Sequence, residues 1–228
     1  MLSKLEDYEK IVGRGFAQQV LKSAKPLRDD HVVHINSTYY GGGVAEILNS
    51  LVMLLNDAGI TTGWRLLKGN QEFFNVTKQV HNALQGEDVK FSSREKAIYL
   101  DANKANSVFT HLDHHDLVIV HDPQPLPMIR FSEKKCPWIW RCHVDISKPN
   151  FRVWNYLKKF VSRYDAAVFS TRAFERNIKI PQHIIAPAID PLSIKNMDIS
   201  DKEISRQLEK FGIPRDKPII AQISRFDR

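Results

Sequence analysis

The chain has 228 residues, of which 43% are hydrophobic and 26% are charged, and its formal net charge is +7. This composition suffices for one large globular core, while the longest apolar runs are too short to span a bilayer, so a membrane protein is not expected. The basic residues are scattered rather than gathered in a stripe with aromatic residues, which argues against a nucleic-acid partner.

The hydrophobic pattern predicts strands that alternate with helices. The segment from Ser3 to Lys25 is predicted as one or two helices, broken near Gly13 and ended by Pro26. Strands are then predicted at 31–36, 61–67, 117–120, 137–142, 166–170 and 184–186, and helices at 44–57, 72–84, 96–112, 151–163 and 202–211. Such an alternation requires parallel pairing with right-handed crossovers. The predicted fold class is a doubly wound, Rossmann-like α/β domain.

The last segment of the chain has the pattern of one more buried strand. Pro218–Ile223 is apolar and β-branched, and Ser224–Arg228 has the character of a functional loop. Because one strand cannot bury its own faces, this segment is expected to open a second domain. The predicted organisation is an amino-terminal domain over 1–212, followed over 213–228 by the end of a linker and the first strand of a carboxy-terminal domain.

Glycine-rich or polar segments directly follow several predicted strands. In chain order they are Tyr39–Gly43, His121–Pro125, His143–Asp145, Ser170–Arg172 and Pro187–Asp190. Since ligands of doubly wound sheets bind at the carboxyl ends of the strands, their shared placement indicates a ligand site.

The triplet Gly41-Gly42-Gly43 precedes a predicted helix. Glycines at this place let the backbone approach a ligand and direct free amides at an anion. The triplet is not a P-loop, because no Gly-Lys-Ser/Thr follows, and it lacks the G-x-G-x-x-G order of dinucleotide sites. A plain flexible turn is the alternative to close approach to a sugar or phosphate.

Two histidines stand near aspartates at neighbouring strand ends. His121 precedes Asp122, and His143 is close to Asp145. Carboxylates accept hydrogen bonds from sugar hydroxyls, and imidazole can donate and accept, so these pairs suit hydroxyl recognition. A structural role at the strand ends is the alternative for each histidine.

No metal site is predicted. His111–Asp116 has the composition of a metal cluster, but adjacent histidines do not readily face one ion from a helix, so it is interpreted as a solvated helix end. Cys136 and Cys142 lack a second Cys-x-x-Cys and are expected to be reduced thiols of a cytoplasmic protein, since no apolar signal core opens the chain.

Five segments, taken in order, resemble the retaining glycosyltransferases of family 4, and within it the archaeal trehalose glycosyltransferring synthases and the related trehalose phosphorylases. They are Gly41–Glu46, His121–Gln124, Arg141–Asp145, Pro187–Asp190 and Ser224–Asp227. The resemblance covers essentially the whole chain. It implies a GT-B architecture, in which the amino-terminal domain mainly holds the acceptor and the carboxy-terminal domain holds the nucleotide-sugar donor.

The resemblance also implies roles for individual residues. Gly42 and Gly43 would let the backbone approach the donor phosphate and the acceptor. Asp122 would bind hydroxyls of acceptor glucose, and His143 would contact the transferring sugar near its reacting face. Glu46 would be a further acceptor contact, although the first turn of a helix also favours an acid there for its dipole.

Arg225 would neutralise the leaving diphosphate of the donor. The family's lysine a few residues further on, and the paired glutamates of its carboxy-terminal domain, have no counterpart in this sequence. Leaving-group stabilisation by such cations is the main chemical contribution of these enzymes. The 228-residue chain alone is therefore expected to be inactive.

The expected activity is transfer of glucose from a nucleoside diphosphate glucose, such as UDP-glucose or ADP-glucose, to glucose, which yields trehalose. The donor is a substrate, and no cofactor or metal is expected. A trehalose phosphorylase, or for this chain alone a sugar-binding domain without catalysis, are the alternatives. The donor base and the oligomeric state stay open, with a homodimer as one alternative.

Overall fold

The computed structural model describes residues 4–222, which fall into two compact units divided between Ile189 and Asp190. The first unit contains a six-stranded, fully parallel sheet in the order β2-β1-β3-β4-β5-β6. Its strands are β1 His31–Asn36, β2 Thr61–Leu66, β3 Leu117–His121, β4 Trp138–Cys142, β5 Ala166–Phe169 and β6 Gln182–Ile184. The predicted doubly wound α/β class is confirmed.

The α-helices begin and end at recognisable sequence signals. They are α1 Glu9–Val12, α2 Arg14–Ala24, α3 Gly43–Asp57, α4 Gln71–Leu84, α5 Ser93–Phe109, α6 Phe151–Val161 and α7 Asp201–Lys210. Gly13, at φ 82°, separates α1 from α2 as predicted. The side chains of Asn70, Ser92 and Asn150 accept hydrogen bonds from backbone amides of the first turns of α4, α5 and α6. Such caps satisfy donors that have no partner within the helix.

The alternation of side chains along the central strands assigns each residue to one face of the sheet. Val33 and Ile35 of β1 and the fully buried Trp138 and Trp140 of β4 belong to the larger core cluster. Val32 belongs to a smaller cluster with Ala24, Ala58 and Ile60. By the same alternation, the second face of the sheet carries the side chains of His34, His121 and His143. These three imidazoles thus lie on the face opposite the tryptophan core.

The structure corrects the predicted bounds of two elements, α5 and β6. Helix α5 begins at Ser93 rather than at residue 96, because Ser92 and Glu95 form a reciprocal capping box ahead of the predicted start. It ends at Phe109 rather than Leu112, before His111 adopts a left-handed backbone with φ 46°. Strand β6 lies at Gln182–Ile184, two residues before the predicted 184–186.

The second unit contains α7, whose cap Ser200 accepts a hydrogen bond from the amide of Glu203. The strand predicted over Pro218–Ile223 is not formed in the part that the structure describes. Residues 218–222 have no regular secondary structure and are exposed, since they pair with no neighbouring strand. The domain boundary at residue 212 stays a prediction. Within residues 4–222, no helix is long and apolar enough to cross a membrane.

Candidate functional site

Three of the segments singled out in the sequence follow neighbouring strands at one edge of the sheet. β1, β3 and β4 are adjacent and parallel, so the loops that follow Asn36, His121 and Cys142 leave the sheet at the same end. Strand order reverses between β1 and β3, because β2 lies beyond β1 while the later strands lie beyond β3. This topological switch point is the place where open α/β sheets bind ligands.

The glycine loop after β1 is exposed and has a backbone that only glycine adopts readily. Gly41 and Gly42 have φ values of 75° and 88°, and a Cβ atom at either residue would meet no atom within 4 Å. Backbone strain rather than crowding therefore requires glycine at both positions. Gly42 is the N-cap of α3 and offers no side chain to the first amides of the helix. Those amides are available to an anion.

Aromatic side chains border this loop. The rings of Tyr39 and Trp64 stack with centroids 4.6 Å apart, which connects the loop after β1 to strand β2. Tyr40 packs edge-on against Tyr39 and is 82% exposed. The loop therefore has one anchored ring and one ring open to a ligand.

Asp122 connects the ends of β3 and β4. Its amide donates to the carbonyl of Arg141 at 2.9 Å, and its Oδ1 accepts from the amide of His143 at 2.7 Å. Its carbonyl accepts from Nε1 of Trp140 at 3.0 Å. Its φ of 62° is left-handed, a conformation in which aspartate is one of the few tolerated residues. Part of the carboxylate thus holds the loop that carries His143, while its predicted contact with glucose stays a prediction.

Three histidine side chains form a hydrogen-bonded chain on the same face of the sheet. Nδ1 of His34 lies 2.9 Å from Nε2 of His121, and Nδ1 of His121 lies 3.0 Å from Nε2 of His143. Successive rings are stacked, with centroids 5.2 and 5.3 Å apart. His34 is 2% and His121 is 3% exposed, whereas His143 is only partly buried. This series of three hydrogen-bonded rings, called the histidine chain below, thus runs from the protein interior to the candidate site.

Burial controls the charge of these groups. Desolvation lowers the pKa of His34 and of His143 to about 4, and with neighbouring histidines lowers the pKa of His121 well below its usual value. The opposite effect acts on Asp122, where burial raises the pKa to about 6 against the lowering effect of backbone hydrogen bonds and Arg141. At neutral pH the three imidazoles are therefore uncharged.

The loop after β3 is fixed from α5. The Tyr99 hydroxyl donates to the carbonyl of Pro123, and Nδ2 of Asn103 donates to the carbonyl of Gln124 at 3.0 Å. Because both donors come from a helix packed on the sheet, His121 and Asp122 lie on a preorganised loop.

The remaining predicted site residues are exposed or lie outside the part of the chain that the structure describes. Glu46 is an exposed residue in the first turn of α3. Asp145 is exposed, and its Oδ1 accepts from the amide of Ser147 at 2.7 Å, which shapes the loop after β4. Arg225 lies outside the described residues. The sequence analysis did not identify His34. In the alternation of β1, His34 lies on the other face of the sheet from Val33 and Ile35, and this is the face that carries His121.

The interpretation of His111–Asp116 as solvated is wrong for His115. Its ring is buried against His31, with centroids 4.4 Å apart, where two hydrogen bonds between Asp116 and the backbone of His31 hold the segment at the start of β1. Within residues 4–222, no three His, Cys, Asp or Glu residues are arranged to hold a metal ion. Cys136 and Cys142 are both free thiols, half-buried and buried respectively.

A parallel sheet of this order, with a glycine loop and polar strand ends at its switch point, defines a Rossmann-like ligand-binding α/β domain. The model of the trehalose synthase N-terminal domain matches residues 34–176. The chain belongs to this trehalose synthase family, which confirms the resemblance found in the sequence.

Individual relatives agree with the family match. The trehalose synthase of Pyrococcus horikoshii is 48% identical over 230 residues, and that of Thermococcus litoralis is 45% identical over 227 residues. Each alignment covers 98% of this chain and 55% of the relative, so the chain spans about half the length of these proteins.

More distant similarities were also found. A trehalose phosphorylase of Pleurotus pulmonarius is 24% identical over 264 residues, covering all of this chain and 36% of that protein. A solved α,α-trehalose-phosphate synthase (UDP-forming) from Burkholderia vietnamiensis aligns with a TM-score of 0.49 at 15% identity, over 82% of this chain and 51% of that one.

Proposed function

We propose that a protein containing this chain transfers glucose from a nucleoside diphosphate glucose to glucose with retention, which yields α,α-trehalose, and that this chain forms the acceptor side. The observation that carries the proposal is the convergence of the glycine loop, Asp122 and His143 at the switch point of a trehalose synthase family domain. The names of the relatives at 45% and 48% identity supply the reaction class.

The exposed amides at the start of α3 face the same sheet end as His143 and are proposed to approach the donor phosphate and the acceptor. Gly42 and Gly43 keep side chains away from this approach, since a Cβ at either would point into open space that a ligand needs. Arg225 is proposed to neutralise the leaving diphosphate, and Glu46 to contact the acceptor.

His143 is proposed to donate a hydrogen bond to the transferring glucose, and Asp122 to orient hydroxyls of the acceptor glucose. A neutral imidazole suits this role because sugar hydroxyls carry no charge. Asp122 already accepts a hydrogen bond from the amide of His143, so its carboxylate helps to position the backbone that carries this imidazole. Asp145 shapes the loop beside them.

The described residues favour a front-face transfer. The buried carboxylate at the site, Asp122, binds backbone amides and is not placed as one of two acids across a glycosidic bond, which a double displacement would need. We propose that the leaving diphosphate accepts the proton of the acceptor hydroxyl as the new bond forms. The glucosyl group then moves to the acceptor oxygen and the diphosphate leaves with the acceptor's proton, so no protein side chain has to act as a base.

The nucleotide part of the donor, UDP or ADP, is proposed to bind in a carboxy-terminal half of a GT-B architecture, because the alignment covers 55% of the relative and the matching family model is that of an N-terminal domain. No metal cofactor and no nucleic-acid partner are part of the proposal. The cytoplasm is the proposed location, and a homodimer is a proposed assembly to be measured directly.

A phosphorylase is the second candidate, and one comparison favours it. The Pleurotus pulmonarius relative aligns with the whole chain and is named a trehalose phosphorylase. Inorganic phosphate would then take the place of the diphosphate at the α3 amides. A sugar-binding role without catalysis is the alternative for the 228-residue chain alone.

The test compares this chain with a longer protein that includes a carboxy-terminal half of the kind its relatives have. Each is incubated with UDP-glucose or ADP-glucose plus glucose, and separately with trehalose plus phosphate. Trehalose from the nucleotide sugars supports the synthase, and glucose 1-phosphate from trehalose supports the phosphorylase. Full turnover by the 228-residue chain alone would refute the assignment of the donor side to the other half. His183→Ala, an exposed histidine of β6, is the control for His143→Ala.

A further inference from the structure

The histidine chain ends in the protein interior at an atom that has no partner. Nε2 of His34 is fully buried and makes no hydrogen bond to any described residue. The other end is the partly exposed ring of His143, whose Nε2 is already bonded to His121. Its remaining ring nitrogen, Nδ1, is the one left for a ligand.

The chemistry of neutral imidazole couples the two hydrogen bonds. A neutral ring has one N–H and one bare nitrogen. His121 is bonded through both of its nitrogens, so it donates one bond and accepts the other. Both bonds must therefore run in the same direction, and the tautomers of all three rings change together.

The two directions leave different atoms buried at His34. If the protons point toward His143, Nε2 of His34 is a bare acceptor; in the other direction it is an N–H donor without a partner. Unpaired buried donors are rarer in proteins than unpaired acceptors. Trp64, the register neighbour of His34 on β2, also has a buried and unpartnered Nε1, which can only donate. A bare Nε2 at His34 therefore avoids a second buried donor without a partner on these two neighbouring strands.

We infer that His34 and His121 are positioning residues that keep the proton of His143 on Nδ1, so that His143 presents an N–H donor at the candidate site. The nature of the oxygen that receives this hydrogen bond rests on the proposed function. The tautomer itself does not, because it follows from the internal hydrogen bonds together with the buried, unpartnered Nε2 of His34.

The tautomer is measured by isotope-edited imidazole NMR on the 228-residue chain at neutral pH, which distinguishes protonated from bare ring nitrogens. His143, His121 and His34 should each carry the proton on Nδ1. Protonation of His143 on Nε2 would overturn the inference without any variant. His121→Phe should remove the preference, so that His143 populates both tautomers.

Two further variants separate positioning from folding. His34→Asn retains an N–H donor toward His121 and should retain the His143 tautomer. His115→Phe replaces a buried histidine that lies before β3 and outside the histidine chain, and it should leave the tautomer of His143 unchanged. A folded His121→Phe protein with an unchanged His143 tautomer would refute the positioning role.

Kinetics in a longer, active protein add a second readout. His121→Phe should lower the transfer rate about tenfold with little change in donor affinity, the size expected for one hydrogen bond to substrate, and His34→Asn should retain most of the wild-type rate. Equal rates for His121→Phe and wild type would refute the link between tautomer and transfer. An inactive protein with the expected tautomers would instead refute the proposed function and leave the positioning role intact.

Discussion

Replacement of Asp122 by asparagine tests the electrostatics of the candidate site. Burial raises the pKa of this carboxyl from 3.8 to about 6. A group whose pKa is raised by folding stabilises the fold at low pH, and this contribution is lost as pH rises through the folded pKa. The full loss is about 3 kcal/mol, of which about 2 kcal/mol falls between about pH 4.5 and about pH 7.5.

Asparagine is the appropriate substitution because it lacks the titration but keeps much of the local geometry. Its oxygen can still accept from the amide of His143, and asparagine tolerates the left-handed backbone of this position. The substituted side chain would also present an NH₂ group where the carboxylate faces the amide of Val144, which adds a cost that does not depend on pH. The change with pH is therefore the informative quantity, and not the stability at one pH.

The measurement is urea unfolding of both proteins at the two pH values. The stability of Asp122→Asn relative to wild type should improve by about 2 kcal/mol from the lower to the higher pH. Asp145→Asn, which replaces an exposed aspartate of the next loop, is the matched control for the substitution itself. A difference between Asp122→Asn and wild type that is flat with pH would show that the carboxyl is not desolvated, and the reasoning would be wrong.

Three further predictions use the same site. Burial lowers the pKa of His34 to about 4, so its contribution to the free energy of unfolding is fully present above pH 6.5 and is lost as pH falls toward about 4. Unfolding measured at several pH values should show that His34→Phe removes about 3 kcal/mol of this acid sensitivity. Gly42→Ala should lower the free energy of unfolding by about 1–3 kcal/mol because of its φ of 88°, whereas Gly43→Ala, inside α3 and with open space at its Cβ, should not lower it. His143→Ala should reduce the transfer rate of an active protein more than its donor affinity, while equal loss of both would indicate a general structural defect.

The sequence was sufficient for the alternation of strands and helices and for the clustering of polar loops at strand ends. Both follow from local patterns: buried runs such as Leu117–Val120 identify strands, and parallel pairing then brings their carboxyl ends together. The capping box at Ser92 and Glu95 was also readable, and its use would have corrected the start of α5.

Pairing between distant residues was not readable. The hydrogen bond of His34 with His121 joins residues from two strands that the chain order does not show to be neighbours. The burial of His115 depends on its contact with His31 of β1, and the bonds of Asp122 depend on where β4 ends. Each is a tertiary outcome that composition leaves undetermined.

Different groups are suited to recognise the hydroxyls of the sugars and the diphosphate of the donor. The imidazoles of His121 and His143 are uncharged because desolvation opposes their protonation, so they contribute direction rather than charge. A sugar hydroxyl can accept a directional hydrogen bond from such a neutral donor. A diphosphate needs positive potential, and within the described part of the site the α3 amides beside Gly42 supply only partial charges. Full charge for a leaving diphosphate therefore has to come from cationic side chains, which is the role proposed for Arg225, and removal of that charge should affect the donor reaction far more than the binding of glucose.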